Sequence, residues 1–170
     1  GVSAPSEAGF DNVWTGGVNY SGQFDSVGVK AAVTGITADD KNDSSSAQAD
    51  LEGYDAGLNV SFANITVGGS YGDWLDTYGN NTDATYWDAG VGYSAGAFSA
   101  SVTYLNSQVD PSGAGSDEFD NLSVGADYQL APGLVPYVEA SFFDFDGAGS
   151  ADFADDNKGA VVLVGSELTF

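Results

Sequence analysis

Carboxylates dominate the chemistry open to this chain: 25 acids against three lysines, with no arginine, histidine or cysteine. A histidine base, a cysteine nucleophile, the usual zinc ligands and disulfides are excluded at once. Two acidic stretches are rich in the hard oxygen ligands that calcium prefers. They are Asp39-Asp40-Lys41-Asn42-Asp43 and the segment from Asp144-Phe145-Asp146 to Asp155-Asp156-Asn157. Asp39, Asp40, Asp43, Asp155 and Asp156 are therefore the candidate calcium ligands. Neither stretch has EF-hand spacing, so solvated loop charge is the favoured reading and no cofactor is required. Carboxylate pairs can also serve glycoside or aspartic-protease chemistry, yet no distinctive motif surrounds any pair here. The expectation is that the chain is not an enzyme.

Other motifs are equally plain. Gly68-Gly69 and Gly90-Val91-Gly92 lack a following helix, which argues against a phosphate cradle. The sequons at Asn59, Asn64 and Asn121 fall in or beside extended segments rather than in surface loops. A net charge of -22 excludes nucleic acid as a partner, because phosphate binding needs clustered Lys and Arg. The absence of cysteine fits a reducing compartment or a cysteine-avoiding bacterial envelope protein. No apolar run approaches the length of a membrane helix. No charged and then apolar leader opens the chain, so any export signal is expected to have been removed.

The elements that carry these residues follow from a period of two. In Tyr54-Asp55-Ala56-Gly57-Leu58-Asn59-Val60-Ser61-Phe62, apolar side chains alternate with small polar ones. Successive strand side chains point to opposite faces, so Tyr54, Leu58, Val60 and Phe62 share one. The pattern returns at Val27–Val33, Trp87–Tyr93, Phe98–Tyr104 and Leu122–Tyr128. It predicts nine strands at roughly 12–24, 26–38, 53–63, 65–74, 85–95, 98–109, 119–130, 134–145 and 158–170. Each is about ten residues or more, the length that a tilted strand needs to cross a bilayer. Connections alternate strictly between tight turns and long acidic loops, the mark of an antiparallel meander with two unlike ends. Outer-membrane barrels have short periplasmic turns and longer extracellular loops.

Aromatics reinforce that reading. Trp14, Tyr54, Tyr71, Trp74, Tyr86 and Trp87 gather at the long-loop end. Tyr20, Phe24, Phe62, Tyr93, Phe98, Tyr128 and Phe170 gather at the other. Two such girdles around a band of Val, Leu and Ala fit a membrane barrel better than a soluble β-sandwich, the bland alternative. Trp14, Tyr20, Tyr54, Phe62, Trp87, Tyr93, Tyr128 and Phe170 are the candidate membrane-interface residues. The opposite face carries mostly Gly, Ser, Thr and Asn, too small to fill a barrel. Lys30, Asp55, Asp88, Asp127, Glu139 and Glu167 are the candidate pore-lining charges. With acids in excess there, cations are expected to be preferred. A looser version of the metal reading has divalent ions bridging the loop acids to each other or to anionic lipopolysaccharide at the outer surface. Outer-membrane lipid and lipopolysaccharide are the expected surroundings of the barrel.

An odd count of strands cannot close antiparallel. Either the count is off by one, or the chain is the C-terminal part of a larger barrel cut in an extracellular loop. On the second reading residues 1–11 are expected to be the remnant of that loop, with 12–170 forming the strands, turns and loops. An N-terminal fragment of the same barrel would be a partner.

Particular segments are familiar. Asp127-Tyr128-Gln129-Leu130-Ala131-Pro132-Gly133-Leu134, then Tyr137-Val138-Glu139-Ala140, and the ending Asn157 to Phe170 resemble the C-terminal region of Gram-negative porins, with the alphaproteobacterial type nearest. Asp11-Asn12-Val13-Trp14 through Tyr20 resembles a mid-chain strand of that family. The resemblance implies a sixteen-stranded, trimeric, water-filled pore for passive diffusion of small hydrophilic solutes. This chain would supply strands eight to sixteen, and Phe170 would be read by the barrel-insertion machinery. It also implies an inward-folded constriction loop among the missing strands, to which no residue here can be matched. A competing reading is a non-conducting structural or adhesive surface barrel whose acidic loops bind calcium.

Overall fold

The computed structural model describes residues 10–40, 49–76, 82–110, 115–147 and 156–169. They form one sheet of nine strands: β1 (Phe10–Phe24), β2 (Val27–Asp40), β3 (Leu51–Phe62), β4 (Ile65–Leu75), β5 (Asp83–Ala95), β6 (Phe98–Asp110), β7 (Asp117–Tyr128), β8 (Leu134–Asp146) and β9 (Asn157–Leu168). Spatial order follows chain order from β1 to β9, with the two ends of that order forming the sheet edges. Neighbours pair antiparallel throughout. Strand ends fall within a few residues of the sequence expectation. β1 starts at Phe10, so Phe10 and Asp11 belong to a strand rather than to the expected loop.

Three of the turns are two-residue hairpins. The right-handed twist of paired strands favours turns with positive φ, and Asp25 (54°), Ala63 (52°) and Gly96 (61°) supply it. The connection between β7 and β8 needs glycine outright. Gly133 has φ 77°, and a Cβ there would lie 2.3 Å from the carbonyl oxygen of Thr169. Its own carbonyl accepts the Thr169 N–H at 2.9 Å, tying the end of β9 to this connection. In β1 the register slips between Asp11 and Trp14, where Asn12 takes φ 48°. Asparagine is among the few side chains that adopt this left-handed conformation readily.

A soluble sandwich would bury its apolar side chains between two layers. Here there is one layer. Among the described residues the buried apolar core is Ala38 alone, at 1% exposure, whereas Val164 is 77%, Trp14 75% and Val18 74% exposed. An apolar surface of this extent is untenable in water and asks for a lipid solvent.

Register shows how continuous that surface is. Directly opposed residues project to the same side, so a single row can be followed across the sheet. One such row runs Val18, Val33, Ala56, Tyr71, Trp87. Another runs Val60, Val67, Val91, Val102, Val124, Ala140, Val162. On the other face the same register aligns Asn59, Gly68, Gly90, Thr103 and Ser123. The two faces are chemically opposite through the middle of the sheet.

Candidate functional site

All six predicted lining charges lie on the polar face. Lys30 is opposite Asn59 and Ser21; Asp55 is opposite Thr34 and Gly72. Asp88 faces Ser70 and Leu105. Asp127 is paired with Ser99 and Tyr137, Glu139 with Gly125 and Leu163, and Glu167 with Val135. They are spread over the wall rather than converging. Asp55 and Asp88 sit toward the long-loop end of their strands, while Asp127 and Glu167 lie near the short turns.

Between these charges the wall is low. Gly57, Asn59, Thr66, Gly68, Ser70 and Asp88 are among the residues lining an open recess of about 380 Å³ on this face. Asp88 accepts a hydrogen bond from the Ser70 hydroxyl, and Ser61 and Thr66 share one at 2.8 Å. Short side chains held by cross-strand bonds leave the space above them open.

Asp55 is held by three side-chain hydrogen bonds. Its Oδ1 accepts the Tyr86 hydroxyl at 2.7 Å and the Trp74 indole N–H at 3.3 Å. Its Oδ2 accepts the Thr34 hydroxyl at 3.4 Å. Both rings lie across glycines of the neighbouring strand. A Cβ on Gly72 would come within 2.2 Å of the Tyr86 ring, and one on Gly53 within 2.9 Å of the Trp74 ring. The aromatic girdle expected at the long-loop end is corrected here: Trp74 and Tyr86 belong to the polar face. Tyr86 and Trp87 are consecutive, and a period of two forbids both from sharing a side. Asp55's partners escaped sequence reasoning because they depend on cross-strand register.

The remaining interface candidates keep to the apolar face. Trp14, Tyr54 and Trp87 mark its long-loop side; Phe62, Tyr93 and Tyr128 mark its short-turn side. Tyr20 lies two same-face positions from Phe24, across Gly22, with ring centroids 6.3 Å apart. Tyr104, missed as a candidate, packs 5.2 Å from Trp87. Phe170 lies outside the described residues.

Beyond that aromatic line the apolar face turns acidic, through Glu52, Asp73, Asp120 and Asp144. Tyr54 donates to Asp73 at 3.1 Å and Tyr104 to Asp120 at 2.5 Å. Lys158 lies 3.9 Å from Asp144. Of the calcium candidates, Asp39 accepts the Asn12 side-chain N–H at 2.9 Å, and Asp156 precedes β9 on the far edge of the sheet. Asp40 ends β2, and Asp43 and Asp155 lie outside the described residues. Among the described residues, no group of three or more acids is placed to hold a metal ion.

Comparison with known proteins agrees with this architecture. An uncharacterized protein of Rickettsia bellii (strain RML369-C) is 29% identical over 129 residues, covering 71% of this chain and 28% of the relative. A second, from Rickettsia conorii, is 27% identical over the same length. The chain thus spans little more than a quarter of these relatives, at 28% of their length. Among solved structures, outer-membrane expressed OmpT of Vibrio cholerae superposes with a TM-score of 0.63 at 11% identity, over 92% of this chain and 56% of that one. The in-vitro folded form gives 0.62 at 11% identity, over 95% and 58%. At such identity the likeness speaks for the fold alone: the strands are those of an outer-membrane β-barrel. A family model described as Gram-negative porin matches residues 2–148. With most of its length matched by that model, and with one sheet face made for lipid, this chain belongs to the Gram-negative porin family of the bacterial outer membrane.

Proposed function

We propose that the polar face lines a water-filled pore through which small hydrophilic solutes diffuse passively, with cations preferred and no catalysis performed. The observation that carries this reading is the register. It puts Asp55, Asp88, Asp127, Glu139 and Glu167 with Lys30 on one side of the sheet. Small residues between them leave room for solvent. Carboxylates on a low-dielectric wall raise the local concentration of cations and lower that of anions. Long-range fields of this kind weaken with salt, so the preference is greatest in dilute electrolyte.

The edges β1 and β9 each have a single neighbour among the nine strands. A closed barrel leaves no edge exposed to lipid. Strands supplied by another part of the same protein would therefore complete the cylinder.

The test uses the protein purified from outer membranes and inserted in planar bilayers under a potassium chloride gradient. The expected reversal potential has the sign of cation selectivity. Joint substitution D55N, D88N, D127N, E139Q and E167Q moves it toward zero or to the anion side. Anion selectivity in the unsubstituted protein, or absence of conductance, would overturn the reading.

A further inference from the structure

We infer that Asp55, Trp74 and Tyr86 form a binding subsite for organic ammonium ions on the pore wall; this rests on the polar face being the pore lining. Three strands contribute. Asp55 stands on β3, Trp74 on β4 and Tyr86 on β5, and the register places Gly53 beside Trp74 and Gly72 between Asp55 and Tyr86. The missing side chains at Gly53 and Gly72 leave room for the two rings, whose atoms occupy space that a Cβ would enter. Trp74 and Tyr86 both remain part-exposed.

The hydrogen bonds decide what such a surface can recognise. The polar edges of the two rings, the Tyr86 hydroxyl and the Trp74 N–H, are both committed to Asp55 Oδ1. What remains for a solute is the part-exposed aromatic surface of the two rings beside a fixed negative charge. Tyrosine and tryptophan faces attract cations, and most strongly where water is partly excluded. A neutral sugar would instead need several free donors and acceptors beside the rings, and the committed polar edges no longer offer them. An alkylammonium ion, with one positive charge inside an apolar shell, matches the surface. Asp55 attracts its charge and the rings cover its methyl groups.

The probe is tetramethylammonium chloride, added to the protein conducting potassium in planar bilayers, with the potassium–chloride reversal potential read on the same membranes. The expected result is a saturable fall in potassium current. Cation–π contacts of ordinary strength imply that Trp74→Leu, with Asp55 intact, weakens the half-blocking concentration about threefold. Tyr86→Leu, as an independent variant, acts in the same direction, while Ser123→Ala, an uncharged polar-face position on β7, leaves the block unchanged. If cation preference is present but tetramethylammonium current grows linearly with concentration, or if both aromatic variants block like the parent, the subsite is overturned and the pore reading stands. Block by glucose without block by tetramethylammonium overturns it in favour of a sugar site. Loss of cation preference itself would instead overturn the reading beneath it.

Discussion

The two ends of this sheet handle the same alternation in opposite ways. Toward the short turns, β3 and β4 put Phe62, Val60, Ile65 and Val67 on the apolar side, with Ser61, Asn59, Thr66 and Gly68 on the polar side. Toward the long loops the chemistry of the faces is exchanged. Glu52 and Asp73 appear on the side that was apolar, while Leu51 and Trp74 appear on the side that was polar. The same exchange occurs on β7 and β8. Asp120 and Asp144 continue the apolar side, and Phe119, Phe143 and Phe145 continue the polar one. A strand therefore has no fixed inner and outer polarity; each height takes the side chains that suit the medium there. We read the line Trp14, Tyr54, Tyr71, Trp87 and Tyr104 as the level where hydrocarbon ends. Below it, from Tyr54 to Phe62 on β3 and from Trp87 to Ala95 on β5, the apolar side is continuous over about nine residues, close to what a tilted strand needs to cross a bilayer. Above it, acids face outward to water and headgroups. Apolar side chains there gather inward, where Ala38, at 1% exposure, is fully buried.

That contrast is open to breakage. The largest effect is expected from arginine placed at mid-height on the apolar side. Val124→Arg should cost about 2–4 kcal/mol of stability, because charge at the bilayer midplane is poorly solvated. Ser123→Arg, one residue away on the polar side, should cost far less. Urea unfolding of the protein in phospholipid vesicles measures both, and equal losses would mean that the two faces meet the same medium.

A smaller effect sharpens the comparison within the polar face. Gly72→Ala places a methyl within 2.2 Å of the Tyr86 ring and 2.4 Å of Asp55 Oδ1. Forced repacking of this kind typically costs about 1–3 kcal/mol. Gly92→Ala, toward the short turns, meets nothing nearer than 3.9 Å and should be close to neutral. The same unfolding assay separates the two variants; identical behaviour would show that the upper wall is no more crowded than the lower.

Much of this was legible in the chain. Alternation over Tyr54–Phe62 or Phe98–Tyr104 fixes both the strand and its faces, since a slip of one residue would exchange every side chain. The sidedness of Lys30, Asp55 and Asp88 follows from the same counting. Near the loops, where polarity is exchanged, hydropathy misleads and only counting works. Their chemistry alone points Trp74 and Tyr86 to the lipid-facing girdle, although Trp74 is an odd number of residues from Tyr71. The three hydrogen bonds to Asp55 come from residues 19 to 31 positions away, or 21 in the case of Thr34. Such contacts require the register of several strands, which single-strand patterns do not contain. The bulge at Asn12 was likewise invisible, because nothing in Asp11-Asn12-Val13 interrupts the polar and apolar pattern strongly enough to mark it.

The absence of cysteine from this chain makes the central claim directly measurable. Single cysteines introduced from Ser99 to Tyr104 on β6 and spin-labelled in vesicles report their surroundings through collisions with oxygen, which enriches in lipid, and with a water-soluble nickel chelate. The account predicts strict alternation, with oxygen dominant at 100, 102 and 104 and nickel dominant at 99, 101 and 103. Uniform access of the nickel chelate to all six positions, or oxygen dominance on both parities, would contradict it.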